Sequence, residues 1–555
     1  MKVTNKSKNY LRLIRHKEKV QNTGKPVSHS EPIKESYREL PFLESDFAVW
    51  MDQLEKQLLE IPHWQDLMVY KGISLFDAAY FPLYWGVLDA FRKSYRAKYS
   101  TARNNNGSND VVSRSGAIYR RLRQGELSIN EGIRISTSRL INYVKIRLPP
   151  QRMPNLPHQK RVLVLRAFPN QSAFPILPAL KNRGATILFA SWNDKLQKPV
   201  KELEIPYLNM KGFYHRKYKS IFSIHTNKII KLLDKVDPTL PFKLLEERSE
   251  YGINWSAFEL LKQSFTQTRI FIDVYLNLLD QFKPESIVLF NEISPPGRTM
   301  AKVAKSRNVP TVAIQHGLFI GYTYRALTTD KMIVWGELPR KFWLERGCKP
   351  EQVVSVGAIA HDQGTEKYPL SQQSSKPKNQ PSVLFIGQNP AAFISSTIHR
   401  ETIKVFMQTI AQLPEVKFVI KPHPGEDPTP YRTAIKKTRL SNVELKTSGP
   451  IEQFLLDTNL VITIFSTVGA EAMNMGIPVI VVNVSEQPPL APYASICPIA
   501  TNNQNLANYI EQVLNDPKHL KILIKNGKKF AHGYFGPMNG QAAHKAADLI
   551  MNLIE

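Results

Sequence analysis

"LVITIFSTVGAEAMNMGIPVIVVNV", residues 460–484, decides how the chain folds. Two strand-length apolar runs, 460–466 and 478–484, enclose one short segment, Val468 to Asn474, that suits a helix. Neither run alternates apolar with polar residues. Each therefore reads as a strand covered on both faces, as in parallel sheets with helical crossovers. The first run stops at Ser466 and Thr467, where hydroxyls meet the free N–H groups that open a helix, a place that can hold an anion. An ordinary capped helix explains the same residues.

The same pattern extends outward. Strands are predicted at "SVLFIG" (382–387), "KFVIKPHP" (417–424) and "VELKT" (443–447). Upstream they are predicted at "RVLVLRAF" (161–168), "ATILFA" (185–190), "SIVLFNE" (286–292), "PTVAIQHG" (310–317) and "KMIVWGE" (331–337). The polar stretch 364–381 has no apolar period and reads as a linker. The expected fold is α/β, with Rossmann-like domains at 156–363 and 382–555 facing a cleft. Ahead of them, residues 41–155 read as helical, aromatic and basic, and 1–40 as a flexible basic tail. A length of 555 residues suits this division, because single cores rarely exceed ~300 residues.

Lys and Arg total 74 against 47 acids, a net charge of +27. Such a field attracts polyanions without naming one. The excess is uneven, with thirteen Lys/Arg and three acids between Arg92 and Arg147. Tyr80, Phe81, Tyr84, Trp85, Leu88 and Phe91 recur at helical spacing. That face either packs on the rest of the protein or lies on an anionic membrane. No secretory h-region follows the basic N-terminus, and no apolar run is long enough to span a bilayer. Two cysteines make no disulfide framework and suit a reducing compartment. A cytoplasmic protein, peripheral on the inner face of the membrane, is the expectation.

In doubly wound sheets, ligands bind outside the carboxyl ends of the strands. Four strands end in polar residues: "FNE" (290–292), "IQHG" (314–317), "IKPHPGE" (420–426) and "IFSTVGAEA" (464–472). His316 reads equally as a general base and as a hydrogen-bonded structural imidazole. Glu292 reads as a second base or, more readily, as an orienting group. Gln315 and Arg298 are the acceptor- or anion-side candidates, and Arg298 could instead pair with Glu292. Lys421 precedes His423, whose flanking Pro422 and Pro424 restrict the backbone and aim the imidazole. A histidine so placed can stabilise a leaving phosphate or simply occupy a turn. Gly469 would let a phosphate approach the helix start, and Glu471, one turn in, could accept hydrogen bonds from a ribose.

No phosphate-binding GxxxxGK[ST] and no GxGxxG after a strand is present, which argues against an NTPase and a dinucleotide oxidoreductase. Asp-x-Asp, CxxC and HxxxH patterns are also missing, so neither metal nor cofactor is expected.

"KPHP", "FSTVGAEAMNMGIPVI" and "AIQHG", in two Rossmann-like halves, resemble the GT-B glycosyltransferases of bacterial surface and capsule polysaccharides. The polysialyl and Kdo transferases, and the related CDP-glycerol glycerophosphotransferases, carry comparable motifs. The resemblance covers 280–485 well and 160–555 loosely. It implies metal-independent transfer from a nucleotide-sugar donor to a glycan or lipid-linked acceptor. On that basis His423 would contact donor phosphates, Ser466 and Thr467 would bind phosphate, Glu471 would hold the ribose, and His316 would be the acceptor-side base. Gln315 departs from the aromatic residue usual there. Alternatives are a CDP-alditol phosphotransferase, a nucleotide-sugar 2-epimerase, and a non-catalytic polyanion-binding protein, with no specific nucleic acid expected.

Overall fold

A computed structural model describes residues 44–81, 152–166, 174–214, 256–321, 324–361, 380–389, 396–485 and 487–554, with isolated positions between them. The tail 1–40, the basic stretch Arg92–Arg147, Trp85, Phe91 and most of the linker lie outside the described residues. Two parallel sheets form the body. The first contains β3 (Arg161–Arg166), β4 (Thr186–Ser191), β5 (Tyr207–Asn209), β6 (Ser286–Leu289), β7 (Thr311–Ile314), β8 (Lys331–Val334) and β9 (Val353–Ser355). The second contains β10 (Ser382–Ile386), β11 (Lys417–Lys421), β12 (Val443–Leu445), β13 (Leu460–Thr463), β14 (Val479–Val482) and β15 (Ile499–Ala500). A small antiparallel pair, β1 (Val69–Tyr70) and β2 (Ile73–Ser74), precedes both.

The strand orders are β5-β4-β3-β6-β7-β8-β9 and β12-β11-β10-β13-β14-β15. Counted from its own first strand, each sheet runs 3-2-1-4-5-6, the Rossmann order, and the first adds a seventh strand. The order reverses between β3 and β6, and again between β10 and β13. In doubly wound sheets such a reversal opens a crevice at the carboxyl ends of the strands.

The unbroken apolar runs have a plain cause. In β3, Val162 and Val164 pack into one core while Leu163 and Leu165 pack into another on the opposite face. In β10, Leu384 and Ile386 face one helical layer, and Val383 and Phe385 face the other. Water covers neither face, so no polar alternation is needed. Strands β5, β9 and β15, which the sequence reading omits, have two or three residues each and stand at or next to a sheet edge.

The helices used below are α1 (Glu44–Leu59), α2 (Pro62–Met68), α3 (Leu75–Ala78), α4 (Ile176–Lys181), α5 (Ser256–Phe282), α6 (Pro295–Ser306), α7 (Glu337–Leu344), α8 (Ser396–Gln412), α9 (Thr429–Thr438), α10 (Thr467–Asn474), α11 (Asn503–Asn515), α12 (Pro517–Phe535) and α13 (Ala542–Met551). The N-terminal segment joins the first domain's core: Tyr80, Tyr84 and Leu88 are buried together with Phe265 and Leu278 of α5. For these aromatics the packing alternative is the one realised. Asp77 fastens the segment, pairing with Arg298 (2.9 Å), Arg325 (2.6 Å) and Lys302.

The C-terminal domain is not the continuous block 382–555 that the sequence suggests. After α12 the chain turns at Gly536, whose φ of +69° suits glycine, and α13 packs against α4 in the first domain's core. Along this seam Trp335 stacks on Phe535 at 5.5 Å, and Tyr534 Oη accepts the Phe319 N–H at 2.9 Å. The last helix alternates apolar and small residues like any other, so only the topology reveals which core it enters.

Candidate active site

Ser466 caps α10: its backbone is extended (φ −70°, ψ 146°) and its hydroxyl accepts the Val468 N–H at 3.3 Å. The Thr463 hydroxyl accepts the Ser466 N–H at 3.2 Å, and Tyr493 Oη donates to the Ser466 carbonyl at 2.7 Å. This clamp fixes the helix start beside the strand reversal of the second sheet. Thr467 takes part in neither cap bond. Gly469 has a different job from the one expected. A Cβ there would meet the Tyr493 phenol, with Cζ at 2.7 Å, so the close approach it permits is that of a buried tyrosine rather than a phosphate.

His423 follows β11, next to β10. Its Nδ1 accepts the Gly425 N–H at 3.0 Å. Nδ1 is therefore the acceptor nitrogen, and in the neutral ring the proton resides on Nε2, which is left to donate outward. The loop is held from beneath by Glu426. One carboxylate oxygen accepts the His423 N–H at 2.8 Å; the other lies 2.5 Å from His399 Nε2 and 2.7 Å from the Tyr431 hydroxyl that donates to it. Glu426, His399 and Tyr431 are all buried. Gly387, ending β10, leaves room for this group: a Cβ there would stand 2.9 Å from Pro422 Cα and closer still to Glu426. The sequence reading missed all four residues. Glu426 had a signal, since "HPGE" offers a carboxylate three residues past the histidine, but His399 and Tyr431 come from α8 and α9. Lys421 is half-buried and reaches over the Phe454 ring (5.8 Å).

In the first domain His316 follows β7. It is half-buried, and no hydrogen bond ties its ring to another described residue. Burial, and secondarily the Arg166 guanidinium, push its pKa down to about 4, so the imidazole is neutral at physiological pH. Arg166 ends β3, is buried, and lies 4.9 Å from the Phe290 ring centroid. It is a further cation at the carboxyl edge that the sequence reading passed over, hidden inside an apolar run.

Three other predicted residues serve the framework. The Gln315 amide is engaged at both ends: its oxygen accepts the Trp335 N–H (2.9 Å) and its nitrogen donates to the Gly317 carbonyl (2.9 Å). It shapes the turn that carries His316, and no end of it is left for an acceptor. Glu292 accepts from the Thr328 N–H and the Thr329 hydroxyl, both at 2.5 Å, and pairs with Arg298 at 3.3 Å. Arg298 in turn pairs with Asp77. The pairing alternative for Arg298 is the observed one, and no ion pair or hydrogen bond joins Glu292 to either histidine.

The two halves of the candidate site meet at Gly317 and Thr467: a Cβ on Gly317 would stand 3.7 Å from Thr467 Oγ1. Glu471 lies one turn further along α10. Burial, with the Glu452 charge adding to it, raises its pKa to about 7. The carboxyl edges of the two sheets thus carry a helix start, an outward N–H on His423, a lysine and a neutral imidazole. Such groups can receive a phosphorylated ligand and stabilise charge on it.

No protein-family model and no curated protein sequence matches the chain. Among solved structures it is similar to a Neisseria meningitidis UDP-GlcNAc 2-epimerase bound to UDP-GlcNAc (15% identity, 71% of this chain and 100% of that one, TM-score 0.46). It is also similar to a Rickettsia africae glycosyltransferase (11%, 72% and 100%, 0.44) and to Acinetobacter baumannii MurG (12%, 71% and 99%, 0.40). At these values no residue correspondence follows. The fold rests on the chain's own strand orders: two Rossmann-like domains, whose strand-end turns approach each other at Gly317 and Thr467.

Proposed function

We propose that the protein is a metal-independent glycosyltransferase that moves a sugar from a nucleotide-sugar donor to a growing surface polysaccharide or a lipid-linked acceptor. The approach of Gly317 to Thr467 carries this reading, because it brings the first-domain histidine turn to the second-domain helix start. The donor diphosphate would lie on the Ser466–Thr467 start of α10, with the Nε2–H of His423 and Lys421 toward its oxygens. Glu471 would take the ribose. An acceptor hydroxyl would enter from the first domain, where neutral His316 has a lone pair ready for its proton. As the bond from sugar to phosphate breaks, charge grows on the leaving phosphate, which the helix start and His423 would stabilise. A donor diphosphate would also raise the pKa of His316, which strengthens it as a base. Closure of the seam between the domains would keep water from the donor.

The test is titration of the purified protein with CMP, CDP, UDP and GDP, without added metal, beside His423→Ala. Selective binding of one nucleotide, weakened by the substitution, supports the reading and names the donor class. A CDP preference shifts it to alditol-phosphate transfer; UDP turnover to an epimeric sugar without acceptor shifts it to a 2-epimerase. Absence of binding to all four sinks it.

A further inference from the structure

We infer that the outer face of α12 is a docking surface for a bilayer carrying anionic phospholipid. The helix is well founded: Asp516 caps it, accepting the N–H groups of Lys518 (2.9 Å) and His519 (3.1 Å), and Pro517 opens it. Its nineteen residues include no Asp or Glu. At 3.6 residues per turn, Lys518, Lys521, Lys525, Lys528 and Lys529 fall within an arc of about 100°. All five are exposed, and none forms an ion pair with another described residue. The opposite side is the packed one, with Gly527 against Met473 of α10, and Ala531, Tyr534 and Phe535 buried.

Apolar side chains sit in the same surface. Only three large hydrophobic residues are exposed among the described residues, and two border this stripe: Ile522 (56%) and Leu338 (38%). Ile522 adjoins the lysine arc. Leu338, on α7 of the first domain, meets the far end of the helix, its Cδ1 3.2 Å from where a Cβ on Gly533 would stand. About 16 Å of helix separates the two ends, so the surface spans both domains. The acid beside Leu338, Glu337, is paired with Arg340 (3.7 Å). Lysines around isolated aliphatics fit a headgroup layer, where ammonium groups stay hydrated and an isoleucine can enter the acyl boundary. The stripe holds neither arginine for bidentate phosphate contacts nor an aromatic for base stacking, which disfavours nucleic acid. Five like charges on one face disfavour a second copy of the chain. This docking surface is independent of the donor-site assignment.

The experiment is co-sedimentation of the full chain with phosphatidylcholine vesicles, with and without phosphatidylglycerol. Wild type is expected to bind only the anionic vesicles. K521Q/K525Q/K528Q should weaken that binding ~100-fold, at about fivefold per lysine. The control K201Q/K436Q/K437Q, three exposed lysines elsewhere, should bind like wild type, and all variants should melt like it. I522D should abolish the part of the binding that survives high salt. The inference is overturned if the α12 triple variant binds like wild type, or if both triple variants weaken equally. It is also overturned if wild type ignores anionic vesicles and binds a single-stranded oligonucleotide instead.

Discussion

Gly317, one residue past His316, and Thr467, one residue past the Ser466 cap, face each other across the two domains, with 3.7 Å between a Cβ on the glycine and the threonine hydroxyl. The φ of Gly317 is not positive, and 3.7 Å is ordinary contact, so alanine fits. Gly317→Ala should alter stability by no more than ~0.5 kcal/mol. Gly317→Leu should keep the melting temperature yet weaken nucleotide binding about tenfold or more, a loss of roughly 1.4 kcal/mol. Undiminished binding by the leucine variant would place the nucleotide elsewhere.

His423 acts, in this reading, through a single N–H fixed by the Gly425 contact. Glutamine places an amide N–H near the position of Nε2, whereas alanine leaves nothing. Turnover should fall ~100-fold in His423→Ala, and less in His423→Gln. Equal losses in steady-state assays would argue that the ring does something other than donate.

Glu426 supports that histidine from behind. Glu426→Ala leaves the Tyr431 hydroxyl and the His423 N–H without their acceptor, and should cost about 2–4 kcal/mol in urea unfolding. Tyr431→Phe removes one donor and should cost about 1 kcal/mol. Nucleotide affinity should fall with Glu426→Ala even at temperatures where that variant stays folded, because the loop loses its anchor.

Glu471 has a folded pKa raised to about 7 from an ordinary 4.5. A carboxyl that holds its proton more tightly when folded favours the native state at low pH, and stability is lost as pH rises from about 4.5 to about 7. Glu471→Gln should therefore raise the melting temperature at pH 7.5 and leave it nearly unchanged at pH 4.5. A uniform shift at both pH values would rule out this titration.

Asp77 is the opposite case. Although burial alone would raise its pKa, Arg298, Lys302 and Arg325 together hold it well below the usual carboxylate range. The stability this supplies is present above the unfolded pKa near 3.8 and is lost as pH falls below it. Asp77→Asn leaves Lys302 facing a neutral amide, while Arg298 keeps Glu292 and Arg325 keeps Glu55, and should cost about 1–3 kcal/mol at pH 7. Limited proteolysis should then cut within 44–81 first. A variant with wild-type stability would mean that the N-terminal segment is held by its apolar packing alone.

Much of this was legible in the chain itself. Local apolar runs without alternation gave ten strands and the parallel class, because a strand wrapped by helices needs no polar face. Ser466, His316 and His423 stand past the carboxyl ends of strands, as the sequence predicts, because a polar side chain that ends such a run must sit at the edge of a sheet. What those side chains touch depends on groups distant in sequence. Gln315 and Arg298 look like ligand-binding residues until Trp335, Asp77 and Glu292 are brought beside them. Gly469 looks like a phosphate-binding glycine until Tyr493 fills the space above it. Glu426, His399 and Tyr431 become one buried group only when α8 and α9 pack against β11. The sequence determined where the sheet edges lie, since that is set by local burial. Tertiary structure decided which polar groups at those edges remain free for a ligand, since hydrogen bonds and ion pairs form between whichever residues the packed helices bring within reach.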